Sequence, residues 1–341
     1  VILHRGTETI AVYGATGHTG RFVVEEAERR GLPVVAVGRS AERLAVAFPS
    51  VPWRVAAPED PAELERAFSG CALVVNCAGP FLETAALLTE AALRAGCHYL
   101  DVTAEQASAQ ASFADFDAPA RAAGRVVVPG AGFYGGLADL LASAVASPGP
   151  IDEIIVAVGL DRWWPTLGTR RTGERNKAPR LVVAEGRLAP LQPAAEVRDW
   201  TFSPPIGRQP MLELPFSEII TLHRHLEARA IRSLFSRAAL DELRDAATPA
   251  PTAVDDRGRS AQRFEMVVEV TQGGKVRTAG ARGQDIYAVT APIVIEAAVR
   301  VLAAGDRRGG AMALAEAVSP GELLRALTGS ALEVFGEVGQ G

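Results

Sequence analysis

Gly14-Ala15-Thr16-Gly17-His18-Thr19-Gly20 is a G-x-x-G-x-x-G run between an apolar segment and an amphipathic one. Such spacing suits a dinucleotide pyrophosphate. One glycine makes the tight turn, another lets the backbone approach the phosphates, and the last lets the helix pack closely on the strand. The pyrophosphate then meets the helix N-terminus, where free N–H groups and the helix dipole favour an anion. Thr16, His18 and Thr19 belong to the same expected cofactor contact. A glycine turn that serves packing alone is the competing reading, and the strand–turn–helix context counts against it.

The end of the second strand selects the nucleotide. An NAD-specific turn carries Asp or Glu there for the ribose 2′-hydroxyl. Here Val34–Val37 runs into Gly38-Arg39-Ser40, with Arg43 one helical turn further on. Arg39 suits a 2′-phosphate and the adenine face, and Ser40 can donate a hydrogen bond. The expected cofactor is therefore NADP(H), unless Arg39 is ordinary surface in an Arg-rich chain. Asn76-Cys77-Ala78-Gly79-Pro80-Phe81 follows the fourth strand. Asn76, Ala78, Gly79 and Pro80 are expected to line the ribose and nicotinamide, because ligands of open α/β sheets lie beyond the strands' carboxyl ends.

Hydride transfer usually needs a proton donor or a polarising group. A Tyr-x-x-x-Lys pair is excluded. The only lysines are Lys177 and Lys275, and Gly173 and Thr271 stand four residues before them. Candidate catalytic residues are Tyr134, Asp101 and Tyr99. Tyr134 is preferred for its place in a glycine-rich turn after the sixth strand; a packing role is the alternative. Asp101 is equally readable as a structural or helix-capping carboxylate. His223-Arg224-His225 would share a strand face and could hold a metal, but lacks a third ligand and reads as surface. Trp163-Trp164, with Thr169 or Arg170, reads either as the wall of an apolar substrate pocket or as domain core.

Short apolar runs alternate with amphipathic stretches over the first 130 residues. Expected strands are Thr9–Tyr13, Val34–Val37, Trp53–Val55, Leu73–Asn76, His98–Val102 and Arg125–Val128. Expected helices are Phe22–Arg30, Ala41–Phe48, one opened by Asp60-Pro61, Leu82–Ala95 and Gln106–Ala123. That alternation gives the fold class α/β: a Rossmann doubly wound parallel sheet. The rhythm changes near Pro148-Gly149-Pro150. Ile154–Leu160, Leu181–Val183, Trp200–Phe202 and Glu218–Leu222 read as strands, and Arg229–Leu243 as a helix. Phe264–Thr271 and Lys275–Ala281 read as a hairpin, and Thr290–Ala303 and Gly321–Leu327 as helices. The second domain is thus expected to be α+β with a mostly antiparallel or mixed sheet.

The 341 residues carry 35 basic and 40 acidic side chains, a net charge of −5, with 48% hydrophobic residues. This balance argues against nucleic acid as a partner. Three cysteines without C-x-x-C spacing give neither a disulfide framework nor a zinc signal and read as reduced thiols. With no recognisable signal peptide at Val1–Arg5 and no membrane span, the expected location is cytoplasmic.

Gly14–Gly20, Val37-Gly38-Arg39, Asn76–Phe81, Tyr99–Glu105, Pro129-Gly130-Ala131-Gly132-Phe133 and Ala279–Thr290 together resemble the saccharopine dehydrogenase-like oxidoreductases. The resemblance, which spans nearly the whole chain, implies a Rossmann domain over residues 1–130. A substrate or oligomerisation domain over 131–285 is implied next, then C-terminal helices over 286–341 returning to the first domain. Members include reductases that make saccharopine from an imine, and others resemble trans-acting enoyl reductases. Relatives often carry Asp after the Gly-Phe pair, where this chain has Tyr134. The residues by which saccharopine enzymes hold an amino acid have no assigned counterpart here, which turns the expectation away from saccharopine itself. The combined reading is an NADP(H)-dependent reductase of a C=N or activated C=C bond in secondary or lipid metabolism. Its expected partner is a small-molecule substrate, free or carrier- or CoA-linked, with no nucleic acid or membrane, and with a homodimer allowed. The alternative is a non-catalytic NADP(H)-binding redox sensor.

Overall fold

The computed structural model describes residues 8–192, 198–304 and 309–338; the start of the chain, Val1–Arg5, lies outside them. The first part runs β1 (Ile10–Tyr13), α1 (His18–Arg29), β2 (Val34–Gly38), α2 (Ala41–Ala47), β3 (Trp53–Val55), α3 (Pro61–Phe68) and β4 (Leu73–Asn76). It continues with α4 (Phe81–Arg94), β5 (His98–Asp101), α5 (Gln106–Ala123), β6 (Val126–Val128) and α6 (Gly136–Val145). Asp60 caps α3 by accepting the Ala62 and Glu63 N–H groups, with Pro61 in the first turn. Gly124 ends α5 in a left-handed conformation at φ 63°.

The second part runs β7 (Ile151–Leu160), α7 (Leu167–Arg175), β8 (Leu181–Ala184), β9 (Arg187–Pro190), β10 (Arg198–Thr201), β11 (Arg208–Glu213) and α8 (Glu218–His225). Then follow β12 (Ala228–Ser236), α9 (Arg237–Arg244), β13 (Arg263–Gln272) and β14 (Lys275–Gln284). The chain closes with α10 (Thr290–Ala304), β15 (Gly310–Ala311), α11 (Leu314–Ala317), α12 (Pro320–Leu327) and β16 (Glu333–Gly336).

Seven parallel strands form the first sheet, in the order β15-β6-β5-β4-β1-β2-β3. The strand order reverses between β1 and β4, so the crevice for a ligand opens there, beyond Tyr13 and Asn76. The inner strands β1, β2, β4 and β5 are buried on both faces, as a helix-covered parallel sheet requires, while the edge strand β3 is largely exposed. The second sheet is mixed, in the order β10-β11-β12-β7-β13-β14-β16, with the β8–β9 hairpin attached to β12. The last segment serves both sheets: β15 extends the first beside β6, and β16 pairs with β14 of the second. Arg30, the C-cap of α1, reaches Glu296 of α10 at 2.6 Å, tying that C-terminal helix to the first domain.

Two expected elements are of the opposite kind. Glu218–Leu222 is not a strand but the start of α8, and Arg229–Leu243 is not one helix but β12 followed by α9. Long-range pairing decides both. β12 lies inside the sheet, parallel to β7 and antiparallel to β11, and its exposed Arg229 and Arg232 flank the buried Ile231. A stretch rich in Ala, Arg and Leu is extended there because its neighbours supply the ladder. α1 also begins four residues before the expected start, so His18, Thr19 and Gly20 form its first turn.

Candidate functional site

The glycine run joins β1 to α1 in a form fitted to an anion. Gly14 has φ +77°, and a Cβ there would lie 2.9 Å from Ala78 Cβ, so the turns after β1 and β4 nearly touch. At Gly20 a Cβ would fall 2.2 Å from the Gly14 carbonyl oxygen, a backbone atom that cannot yield. Gly17 differs: its φ is −73°, and a Cβ would meet only that carbonyl, at 3.0 Å. Gly17 is the N-cap of α1, which has no side-chain cap and no acidic residue in its first turn. These features suit a pyrophosphate of a nicotinamide dinucleotide.

At the end of β2, Ser40 caps α2 by accepting the Arg43 N–H at 3.3 Å, which leaves its hydroxyl proton able to donate. Arg39 and Arg43 are exposed and form no ion pair among the described residues. Burial pushes the Tyr13 phenol up, and the Arg39 charge opposes that, which places Arg39 beside the crevice.

The turn after β4 is held from below. Asn76 is fully buried; its oxygen accepts the Ala78 N–H at 2.9 Å and its amide donates to Tyr99 at 3.0 Å. Tyr99 donates to Asp101 at 3.1 Å. The other oxygen of Asp101 accepts the N–H groups of Thr103 at 3.0 Å and Gly130 at 2.8 Å. Burial raises the Asp101 carboxyl to about 6 against these bonds, and burial pushes the Tyr99 phenol well above its usual range. Both side chains are fully enclosed in this network, which fixes the ends of β4, β5 and β6 relative to one another.

The next residues extend that role. Glu105 accepts the Phe81 N–H at 2.7 Å and the Leu82 N–H at 3.2 Å, so it caps α4 from a neighbouring loop. Burial raises its carboxyl. Gln106 binds both backbone polar groups of Leu181, and Ser217 donates to the Thr103 carbonyl at 2.8 Å. One loop, residues 101–106, thus locates the cofactor turn, the glycine turn after β6 and part of the second domain.

The second domain roofs the crevice. Tyr287 packs edge-on against His18, with centroids 5.3 Å apart. Its hydroxyl oxygen receives the Trp163 indole N–H at 2.9 Å and lies 2.9 Å from Thr169 Oγ1. α7 lies over the turn after β4: Thr172 Oγ1 is 3.1 Å from where a Gly79 Cβ would be, and Arg175 pairs with Glu83. Arg170 is spent on the Leu243, Asp245 and Thr248 carbonyls. Trp163 is buried against Phe235, while Trp164 is part-exposed beneath Arg162.

Tyr134 lies within this aromatic group, 4.4 Å from Phe216, 5.1 Å from Phe133 and 6.4 Å from Trp163 by ring centroids. Its hydroxyl is buried with no hydrogen-bond partner among the described residues. Burial pushes the phenol well above its usual range, while the Arg180 charge opposes that shift.

The structure brings Gly14–Gly20 and Asn76–Pro80 together, with Arg39, Ser40 and Arg43 along one rim and Tyr134 on the second-domain side. His223 and His225 are placed otherwise than on the strand considered for them. They lie on α8, where residues two apart do not share a face. His225 instead meets buried Asp139 at 2.6 Å. Tyr287, Thr172 and Glu105 were not read as site residues. Tyr287 and Glu105 stood within recognised segments, but nothing local marks Thr172. Cys71, Cys77 and Cys97 are free thiols. No helix among the described residues is long and apolar enough to cross a membrane.

Comparison with known proteins bears on the domain that carries this site and on the fold. A family described as NAD(P)H-binding matches residues 14–120. The saccharopine dehydrogenase-like oxidoreductase of Mus musculus is 26% identical over 152 residues, covering 38% of this chain and 35% of that protein. A probable mitochondrial saccharopine dehydrogenase-like oxidoreductase of Arabidopsis thaliana is 28% identical over 142 residues, covering 36% of this chain and 31% of that protein. The match thus spans about a third of each relative's length. In fold, the apo saccharopine dehydrogenase (L-Glu forming) of Saccharomyces cerevisiae aligns with 96% of this chain and 99% of its own. The TM-score is 0.65 at 12% identity, a likeness of fold alone. By sequence and by fold, the chain is similar to the saccharopine dehydrogenase-like oxidoreductases, and its residues 14–120 carry an NAD(P)H-binding domain.

Proposed function

We propose that this protein is an NADP(H)-dependent oxidoreductase that reduces a C=N or activated C=C bond of a small secondary- or lipid-metabolism substrate. The observation that carries the reading is the roof: Tyr287 and Thr172 reach the glycine turn and the Gly79 turn, and Tyr134 belongs to the aromatic cluster that adjoins them through Trp163. The backbone of Gly14–Gly20 holds the pyrophosphate on the α1 N-terminus. Arg39, Ser40 and Arg43 take the 2′-phosphate. Asn76, Ala78, Gly79 and Pro80 support the ribose and nicotinamide. When bound, the cofactor supplies the hydride. Tyr134 donates a proton or a hydrogen bond to the substrate atom that gains charge, and solvent replaces the proton after product leaves. The apolar rings around it exclude water and sharpen that interaction. Asp101 and Tyr99 act as positioning groups behind the turn.

The test is a screen of imines, enones and enoyl thioesters for NADPH oxidation, followed by Tyr134→Phe on the best substrate. Turnover should fall by about 10²–10⁴ with NADPH affinity unchanged. Full turnover by Tyr134→Phe would make this residue a pocket wall. Tight NADPH binding with no turnover on any acceptor would favour a redox sensor.

A further inference from the structure

α7 belongs to the second domain yet lies over the turn after β4, with little to keep it there. Its nine residues, Leu167–Arg175, include Gly168 and Gly173, and none of them is buried. Glycine is a weak helix former, and so short a helix is marginal unless it buries an apolar face. Here Leu167 stays 64% exposed, and no other helix or strand among the described residues packs broadly against α7. Thr166 caps it by accepting the Thr169 N–H at 3.1 Å, and Arg170 ties it to the Leu243, Asp245 and Thr248 carbonyls of its own domain.

The flanks of this segment are firmer than its middle. On one side Trp163 is buried and gives its indole N–H to the Tyr287 hydroxyl, which also lies 2.9 Å from Thr169 Oγ1. On the other side the Gln106 side chain donates to the Leu181 carbonyl and accepts the Leu181 N–H, each at 2.8 Å. Between these points two contacts reach the first domain. Arg175 donates to Glu83 of α4 at 2.6 Å, but the two side chains are 58% and 53% exposed. Thr172 Oγ1 stands 3.1 Å from the place of a Gly79 Cβ. An exposed ion pair holds weakly, because water competes for both charges. A segment fixed at both flanks, unburied between them and pinned by one exposed pair can lift without unfolding the protein.

A ring lying against the Gly79 turn needs about 3.5–4 Å to the atoms on each of its faces, and Thr172 leaves no such room. Resting on the reading of Asn76–Pro80 as the bed of the nicotinamide, we propose that α7 is a lid over that bed, latched by Arg175 and Glu83 as the structure shows it and displaced when nicotinamide takes the place of Thr172. At Gly17 a Cβ would meet no atom of α7. The phosphates can therefore seat first, and the nicotinamide half alone has to move the lid. Access to the bed then depends on an equilibrium between latched and lifted α7, which the cofactor shifts by binding the lifted form.

The experiment is limited trypsin digestion of the folded protein, with the cuts assigned by mass spectrometry. Arg171 within α7 and Lys177 just beyond it are exposed and take no part in the latch, so they report its state. When lifting is fast, cleavage follows the population of the lifted form. Glu83→Gln should raise cleavage at both sites by about twofold to fivefold, the worth of an exposed ion pair, with an unchanged thermal midpoint. Saturating NADP⁺ should raise it in the wild type. Adenosine 2′,5′-bisphosphate, which carries the 2′-phosphate but no nicotinamide, should leave it as it was. Wild-type cleavage rates in Glu83→Gln overturn the latch. NADP⁺ that binds in a calorimetric titration yet leaves cleavage unchanged or slower overturns the lid, and so does an equal effect of adenosine 2′,5′-bisphosphate. If NADP⁺ fails to bind, the cofactor reading falls, and digestion of Glu83→Gln still decides whether α7 is latched.

Discussion

Two helix N-termini face the same crevice, and they are treated in opposite ways. α4 receives a carboxylate of its own chain: Glu105 accepts the Phe81 and Leu82 N–H groups, and Glu83 adds a second acidic residue to the first turn. α1 receives neither a side-chain cap nor an acidic first turn. Both ends carry the same backbone chemistry, so the difference lies in the supply of negative charge. The α4 end is closed as structure, and the α1 end is fitted to an anion from outside. The proposed function accordingly sets the nucleotide phosphates on α1 and the rest of the cofactor against the rigid surface of the α4 turn.

The most severe way to break this comparison lies in the glycines. Gly20→Ala places a Cβ against the Gly14 carbonyl and should destabilise the protein by about 3 kcal/mol or more, seen as a lower thermal midpoint. Gly17→Val, at ordinary φ and with one marginal contact, should fold with an unchanged circular dichroism spectrum yet lose NADPH binding in a fluorescence titration. A Gly17→Val protein that binds normally would move the phosphates off α1. Next in size is Glu105→Ala, which removes the acceptor of two α4 N–H groups. About 2–6 kcal/mol of stability should disappear in denaturant unfolding, at about 1–3 kcal/mol for each of the two donors left without a partner. No loss would mean that α4 needs no internal carboxylate, and the contrast with α1 would carry no information.

Asp101 sharpens the comparison through pH. Its folded carboxyl is raised to about 6, above an ordinary value of 3.8, with burial as the leading cause. Between those values the folded protein keeps a proton that the unfolded chain releases. The contribution of Asp101 to stability is therefore full below the lower value and falls as pH rises through the higher one, by about 1.4 kcal/mol per pH unit at most. Asp101→Asn keeps an oxygen for the Thr103 and Gly130 N–H groups but cannot titrate. Its stability relative to wild type should rise between pH 4 and pH 6 and then level off. A flat difference across that range would show that Asp101 ionises as freely when folded as when unfolded.

How much of this was legible follows the same division between local and distant causes. Asp60-Pro61, Gln106–Ala123 with Gly124, and Leu73–Asn76 carry their caps, stops and apolar runs in the local sequence, and the parallel sheet follows from their alternation. The first turn of α1 was hidden because His18-Thr19-Gly20 reads as loop; only the packing of Gly20 on Gly14 explains it. β12 was hidden because its ladder partners lie far away in sequence, Ile231 opposite Ile154 and Leu212 opposite Phe235. The NAD(P)H-binding domain was readable because its glycine run and its strand–helix alternation are local, whereas the aromatic cluster over the crevice is assembled from residues 134, 163, 216 and 287.

The smallest expected effect concerns the rim rather than the crevice floor. Arg39 directly follows β2 and is exposed, whereas Asp101 ends β5 in full burial. Asp101 is committed to the Thr103 and Gly130 N–H groups and to Tyr99, while Arg39 has no ion pair among the described residues and stands near Tyr13. A guanidinium there costs little in water and gains only when a phosphate arrives. Its removal should therefore leave stability unchanged, in contrast to Glu105→Ala. Arg39→Ala should weaken NADPH by roughly tenfold to a hundredfold, about 1.5–3 kcal/mol, and leave NADH nearly untouched, because only NADPH carries the 2′-phosphate. Parallel titrations of both cofactors measure this, and raising the salt concentration should narrow the gap in the wild type, since the pair is solvent-exposed. Equal affinity of the wild-type protein for NADPH and NADH would remove Arg39 from cofactor selection and leave the glycine turn as a binder of either nucleotide.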